Sequence, residues 1–341
     1  MALDWKYFTL RPGIKNLPLN EQMRLFKIAN EKSINYRKQL AESFTDMSTS
    51  TLKSGRAGGP DPSKYKFTNP YCFEFDGNSD SVQIAGSTST LNLSGEISIS
   101  AWITLDEDVF NIGTEVKDYH IVDKLNFPGD GTAEGYALFI KRNKDSGGAA
   151  NTVKLRALFG VSGTGIFPCT IQVDIQSGAT NELTPNTPYN IIATYNPAIG
   201  SGQMKLYIDG NEVQSKNIAG GPEPFAPASS ERFVIGNASI GPGIKEFHGK
   251  IDEVSIWNTL LDAEAITDLQ KWDINGNLND YSAANGLNLA AWYRMGENAE
   301  FESGNWTLKS ATDPDNISLE LTSVGMVLAD RKSPGIARDK S

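Results

Sequence analysis

An all-β fold is what this 341-residue chain predicts: a two-sheet antiparallel sandwich, preceded by an N-terminal extended arm and helix. Three observations carry that expectation. From Tyr71 onward short alternating apolar runs follow one another with turn residues between them. The 32 Gly and 16 Pro are enough to punctuate many short strands. No long helical period alternates with the strands, which argues against a parallel α/β sheet.

The strand candidates are Tyr71–Phe75, Ser81–Ile84, Ile97–Thr104, His120–Asp123, Tyr136–Lys141, Val153–Phe159, Thr170–Asp174, Asn190–Tyr195, Met204–Ile208 and Ile251–Trp257. So many strands imply two stacked sheets. In Ile97–Ile103, alternation places Ile97, Ile99, Ala101 and Ile103 on a core face, with Ser98, Ser100 and Trp102 opposite. In Ile251–Trp257 it groups Ile251, Glu253, Ser255 and Trp257 against Asp252, Val254 and Ile256. Neither face is then cleanly polar, as in a central strand. Asp209-Gly210, between Lys205–Ile208 and Glu212-Val213, predicts a two-residue hairpin, since both residues tolerate the positive φ of a type I′ turn. Leu261–Trp272 predicts a helix capped by Asp262, with Ile266 and Leu269 toward the core.

Three regions follow: an anchoring arm at residues 1–64, the sandwich at 65–272, and an extension at 273–341 expected to complete it. The arm begins as a strap rich in aromatics and Pro, continues as a helix from Asn20 to about Phe44, and ends in a Ser/Thr/Gly/Pro linker. It holds 11 Lys/Arg against 6 Asp/Glu, leaving 20 against 35 from Tyr65 onward. A basic leader on an acidic body implies two surfaces with different partners. Trp5, Tyr7, Phe8, Leu10, Leu25, Phe26 and Ile28 are the arm's candidate docking residues. Each large one would contribute ~1.5–3 kcal/mol if a partner covered it. The arm's positive charges are dispersed among apolar residues rather than in a run, so a nucleic-acid partner is not expected.

No secretory leader is expected from Met1-Ala2-Leu3-Asp4-Trp5, and no apolar run is long enough to insert in a membrane. Cys72 and Cys169 are expected as buried thiols. Two His, His120 and His248, are too few for a His-rich metal site. No nucleophile elbow, zinc-protease, Walker or dinucleotide motif occurs, and the chain is not expected to be an enzyme.

Four blocks carry a resemblance: Phe75-Asp76-Gly77-Asn78-Ser79-Asp80-Ser81-Val82-Gln83-Ile84, Ile97-Ser98-Ile99-Ser100-Ala101-Trp102-Ile103, Lys205-Leu206-Tyr207-Ile208-Asp209-Gly210-Asn211-Glu212-Val213, and Gly249-Lys250-Ile251-Asp252-Glu253-Val254-Ser255-Ile256-Trp257. In this order the chain resembles the laminin-G-like jelly roll of the concanavalin A-like lectin/glucanase superfamily. The coda Leu289-Ala290-Ala291-Trp292-Tyr293-Arg294-Met295-Gly296-Glu297 is similar to a W-x-R-M-G stretch of marine bacteriophage virion proteins of this family.

The resemblance implies a non-enzymatic virion structural protein made in the host cytoplasm. It would be a capsid decoration or host-adhesion module, docked by its arm on a capsid, neck or tail protein and present in several copies of a symmetric assembly. The alternative it implies is a lectin-like surface protein that binds host glycan. No cofactor is required. The one ion it suggests is a structural calcium on Asp76, Asp80, Asp252 and Glu253, against the plainer reading that these carboxylates shape turns or are hydrogen-bonded in the core. Trp102, Tyr136, Tyr195, Tyr207, Trp257 and Trp292 offer stacking faces for sugar, but aromatics at strand positions are more often core. The family's glucanases use E-x-D-x-x-E on one strand. Here Glu74 and Asp76 lack the third acid, and the adjacent Asp252 and Glu253 are expected on opposite faces of their strand.

Overall fold

The computed structural model describes residues 69–336 except 88–90, 94, 111–115, 127–132, 144–151, 162–168, 200–202, 219–224, 229–230, 239–244 and 272–276. The strap and helix expected in residues 1–64 lie outside the described residues.

The strands are β1 (Cys72–Asp76), β2 (Ser81–Ser87), β3 (Ile97–Leu105), β4 (Lys117–Asn126), β5 (Ala133–Asn143), β6 (Thr152–Val161), β7 (Cys169–Asp174), β8 (Tyr189–Tyr195), β9 (Met204–Ile208), β10 (Asn211–Lys216), β11 (Arg232–Ile235) and β12 (His248–Trp257). They continue as β13 (Leu289–Tyr293), β14 (Ala299–Glu302), β15 (Asn305–Leu308), β16 (Leu321–Val324) and β17 (Arg331–Lys332). One sheet runs β10-β9-β8-β3-β12-β1-β17, with β13 also on β12; the other runs β14-β15-β16-β2-β11-β4-β5-β6-β7. Neighbours pair antiparallel, as in β3 with β8 and β4 with β5, so the expected two-sheet sandwich is the fold.

The sandwich interior is filled by the inward members of each alternation: Phe73 and Phe75 from β1, Ile97, Ile99, Ala101 and Ile103 from β3, and Val153, Leu155, Ala157 and Phe159 from β6. The outer face of β3 is buried too, which alternation alone does not foretell. Ser98 Oγ donates to the Thr259 carbonyl and accepts from Leu261 N–H. Trp102 packs with Cys72 and Ile336. Two helices, α2 (Ala263–Lys271) and α3 (Leu278–Asn285), lay a second apolar layer outside this sheet; a shorter one, α1 (Glu107–Phe110), precedes them. Ile266, Leu269 and Tyr281 of this layer meet Ile192, Tyr207, Trp257 and Trp292 of the strands. Asp262 caps α2 as expected, its Oδ1 accepting from Ala265 N–H at 2.9 Å.

At the β9–β10 hairpin both Asp209 (φ +48°) and Gly210 (φ +75°) adopt the left-handed conformation that the turn demands. A Cβ at Gly210 would meet Gln270 alone, its movable Oε1 at 2.8 Å and its Cβ at 3.3 Å, so the side chain must swing aside and give by a few tenths of an ångström. Gly210→Ala is therefore expected to cost chiefly the backbone term, about 1–2 kcal/mol, read as a lower urea midpoint with unchanged slope.

The strands after α3 join both sheets: β13 and β17 extend the first, and β14, β15 and β16 extend the second through β2. Strand β12 shares one edge between two partners laid end to end, with β1 against His248–Ile251 and β13 against Val254–Trp257. At the junction its register with β3 shifts between Asp252 and Ser255, and Glu253 takes φ +47°. This β-bulge adds one residue and re-aims the side chains after it. Ile251, Val254 and Ile256 therefore all reach the sandwich core, correcting the grouping that strict alternation gave.

Candidate functional site

The described surface carries a groove of about 840 Å³ where the free edges of the two sheets come together. Its floor is the outer face of β6 and β7, with Lys154, Arg156, Thr170, Gln172 and Asp174; one wall is the turn Gln176–Asn181 and the other is Gln214–Lys216 of β10. Alternation puts these polar side chains outside because Leu155, Ala157 and Ile171 between them are core. Buried Ile175 and Leu183 anchor the turn, and Leu183 N–H donates to the Ile175 carbonyl. The open edge of β7 is blunted by β10: Gln214 Nε2 donates to the Gln172 carbonyl (3.4 Å) and Lys216 Nζ to the Thr170 carbonyl (2.7 Å).

Two cross-strand rows order the groove's charges. In the first, Asp118, Lys141, Lys154 and Asp174 stand side by side, closed by Lys141–Asp118 (3.0 Å) and Lys154–Asp174 (3.1 Å). In the second, His120 stacks on Phe139 at 4.6 Å, the Arg156 guanidinium lies 5.9 Å from the Phe139 ring, and Gln172 follows. Arg156 Nε is buried and has no hydrogen-bond partner among the described residues, and that burial holds its guanidinium below the ordinary value. The sequence marked none of these residues. The signal present was the long polar member of each alternation in Val153–Phe159 and Thr170–Asp174.

The four carboxylates proposed for calcium do not meet. Asp76 Oδ1 accepts from Asn78 N–H (2.7 Å) and Asp80 Oδ2 from Asp76 N–H (3.1 Å), which shapes the β1–β2 turn. Burial pushes Asp80 up to about 6, opposed by that hydrogen bond. Asp76 pairs in register with His248, four residues from Asp252 along β12, a separation of about 13 Å at strand rise. Among the described residues no group of three or more His, Cys, Asp or Glu is placed to hold a metal. A calcium shared by Asp76, Asp80, Asp252 and Glu253 therefore does not fit this chain.

Asp252 and Glu253 belong instead to a buried knot at the β12 bulge. Asp252 accepts from Asn69 Nδ2 (2.8 Å), Ile336 N–H (2.9 Å) and Glu253 N–H (2.9 Å). Glu253 accepts from Trp292 Nε1 and from Arg294 Nε (3.1 Å). Glu297 accepts from Tyr71 N–H (3.4 Å), while its Oε2 is buried without a hydrogen-bond partner among the described residues. Burial first, then repulsion from Glu253 and Glu297, raises Asp252 well above its ordinary value. Burial and then Glu253 push Glu297 up to about 8. The expectation that Asp252 and Glu253 face opposite ways is overturned by the bulge, which turns both toward outer-face partners. Gly296 of the coda has φ +143°, and a Cβ there would lie 2.5 Å from that of Tyr71, so the crossing of these two segments needs glycine.

Trp102, Tyr136, Tyr195, Tyr207, Trp257 and Trp292 are all buried and present no sugar-stacking face. Cys72 and Cys169 are buried thiols on different sheets, and burial pushes Cys72 up to about 12. Glu74 is held by Lys332 (2.7 Å) and Lys250 (3.8 Å). The docking candidates Trp5, Tyr7, Phe8, Leu10, Leu25, Phe26 and Ile28 lie outside the described residues.

Two antiparallel sheets carrying a polar rim groove define a lectin-like jelly roll. The chain belongs to the concanavalin A-like lectin/glucanases superfamily: the Laminin_G_3 family model matches residues 76–267, more than half of its length. No curated protein sequence matches it. Among solved structures it is similar to a protein of Bacteroides ovatus described as carbohydrate binding (TM-score 0.50, 16% identity, covering 81% of this chain and 62% of that one). It thus spans less than two thirds of that protein. Weaker likenesses are the ligand binding domain of botulinum neurotoxin serotype D, solved with N-acetylneuraminic acid (TM-score 0.38, 17%, 74% and 55%), and tailspike protein 2 of bacteriophage CBA120 (TM-score 0.41, 12%, 73% and 35%). At these identities the likeness is one of fold.

Proposed function

We propose that this chain is a non-catalytic binding module whose β6–β7–β10 groove receives a saccharide. The observation that carries the reading is the groove's lining of amides, hydroxyls and cations on rigid strands, the donor and acceptor set that sugar hydroxyls require. Among the described residues its lining contains one carboxylate, Asp174, already paired to Lys154, and so offers no acid and nucleophile pair of the kind glycosidic hydrolysis uses. The carbohydrate-binding description of the Bacteroides ovatus protein agrees with the reading at the level of fold.

The test is a glycan array probed with the full chain and with Gln172→Trp, a strand-compatible change that fills the groove floor. Selective retention on some glycans, weakened at least tenfold by Gln172→Trp, is the expected result. Retention on none, or retention indifferent to the substitution, defeats the reading.

For the module's setting we propose a virion, with the chain as a decoration or host-adhesion component held by its basic N-terminal region on a capsid, neck or tail protein. This is favoured by the Trp292-Tyr293-Arg294-Met295-Gly296 coda, with its likeness to marine phage virion proteins, and by the basic leader on an acidic body. Mass spectrometry of purified particles is expected to find the chain at stoichiometric copy number; its absence from particles would remove this setting and leave the groove untouched.

A further inference from the structure

Resting on the groove as a saccharide site, we infer that its ligand is an acidic sugar, a unit bearing one carboxylate or sulfate ester that docks on Arg156. Among the described residues the groove holds three cations, and two are already committed. Lys154 Nζ lies 3.1 Å from Asp174 Oδ1, and Lys216 Nζ donates to the Thr170 carbonyl at 2.7 Å. Arg156 has no close ion pair among the described residues, although the charge of Asp118 in the adjacent row reaches it. Its Nε is buried and unbonded, and the Phe139 ring lies 5.9 Å from the guanidinium.

A half-buried guanidinium without an acceptor is costly, and an incoming oxyanion removes that cost. The planar fork of Arg matches two oxygens of a carboxylate or sulfate, a geometry that a Lys cannot reproduce. Gln172, the next residue of the same cross-strand row, places an amide beside the anion for the ring oxygen or a neighbouring hydroxyl.

The surroundings limit the ligand to a single charge. Asp118 and Asp174 flank the site in the adjacent row, and the sequence from Tyr65 onward carries 35 Asp/Glu against 20 Lys/Arg. Such a field repels a polyanion, including nucleic acid, and leaves room for one locally neutralised group. The neighbouring Lys154–Asp174 pair acts as a fixed dipole on the groove floor, not as a second anion receptor.

The experiment is the full chain, Arg156→Gln and Arg156→Lys on an array holding neutral, carboxylated and sulfated glycans, with melting curves to confirm that each variant folds. The expected result is preferential retention on acidic glycans, reduced at least tenfold by Arg156→Gln and partly kept by Arg156→Lys. The carboxylated and sulfated arms tell which oxyanion is used. Binding of neutral glycans that Arg156→Gln leaves unchanged would overturn the inference while the groove reading stands. Retention on no glycan at all would overturn both. Should Arg156→Gln melt early, the native chain and Arg156→Lys decide: equal affinity of the native chain for acidic and neutral glycans overturns the inference, and an acidic preference that Arg156→Lys weakens supports it.

Discussion

Arg294→Met is expected to lower the unfolding free energy by about 3–5 kcal/mol at pH 8–9, the scale for removing one partner of a buried ion pair. The substitution retains much of the side chain's bulk against Trp292, whose ring lies 5.2 Å from the guanidinium. What it removes is the charge that faces Glu253 at 3.1 Å and Glu297 at 3.8 Å. Both carboxylates are about nine-tenths buried, and Asp252 beside them is fully buried. With Arg294 gone they must remain ionised without compensation or take up protons. Urea unfolding of the two proteins at pH 8.5 measures the loss; a difference below about 1 kcal/mol, the range of an exposed pair, would show that Arg294 does not hold the knot.

The same knot makes the native fold more stable in mild acid than in mild base. Glu297 is raised from 4.5 to about 8 by burial and by Glu253, and Asp252 is raised in the same direction. A carboxyl with a raised native value binds its proton more tightly folded than unfolded. Its contribution is therefore complete below about pH 4.5 and is lost as the pH rises through about 8. For Glu297 the swing is on the order of 5 kcal/mol. Melting temperatures between pH 5 and pH 9 are expected to fall for the native chain and to flatten for Glu297→Gln, which mimics the protonated form. A native profile that rises across this range would contradict the assignment of Glu297 as a buried, mostly protonated acid near neutrality.

The sandwich was legible because its strands obey period two and its turns use Asp and Gly where φ is positive, as at Asp209-Gly210. Strand β11 (Arg232–Ile235) and the short strands β13–β17 escaped notice. Four residues such as Ala299–Glu302 are too few to display a period, and their pairing is set by distant partners like Leu321 against Ile84. The faces of β12 were misjudged for a related reason: one residue, Glu253, breaks the period, and only the meeting of β1 and β13 on one edge explains why. The groove was unreadable because it joins β6 and β7 to β10 of the opposite sheet, and Lys154, Arg156 or Gln214 alone looks like any solvated strand residue. The four-carboxylate calcium site failed because, although β1 and β12 are paired, Asp76 and Asp80 sit at the turn beside His248 while Asp252 and Glu253 lie four residues further along β12.

The pairing of β1 with β17 bears on how the molecule is made. Cys72 lies beside Lys332, and its thiol donates to the Pro334 carbonyl across 262 positions. The sheet edge next to β1 stays open until β17 has been synthesised, some 255 residues later. Such non-local zippering is slow and exposes unpaired backbone meanwhile, and a nascent chain halted near Trp257 would present the uncovered edges of β1 and β12 to any strand nearby.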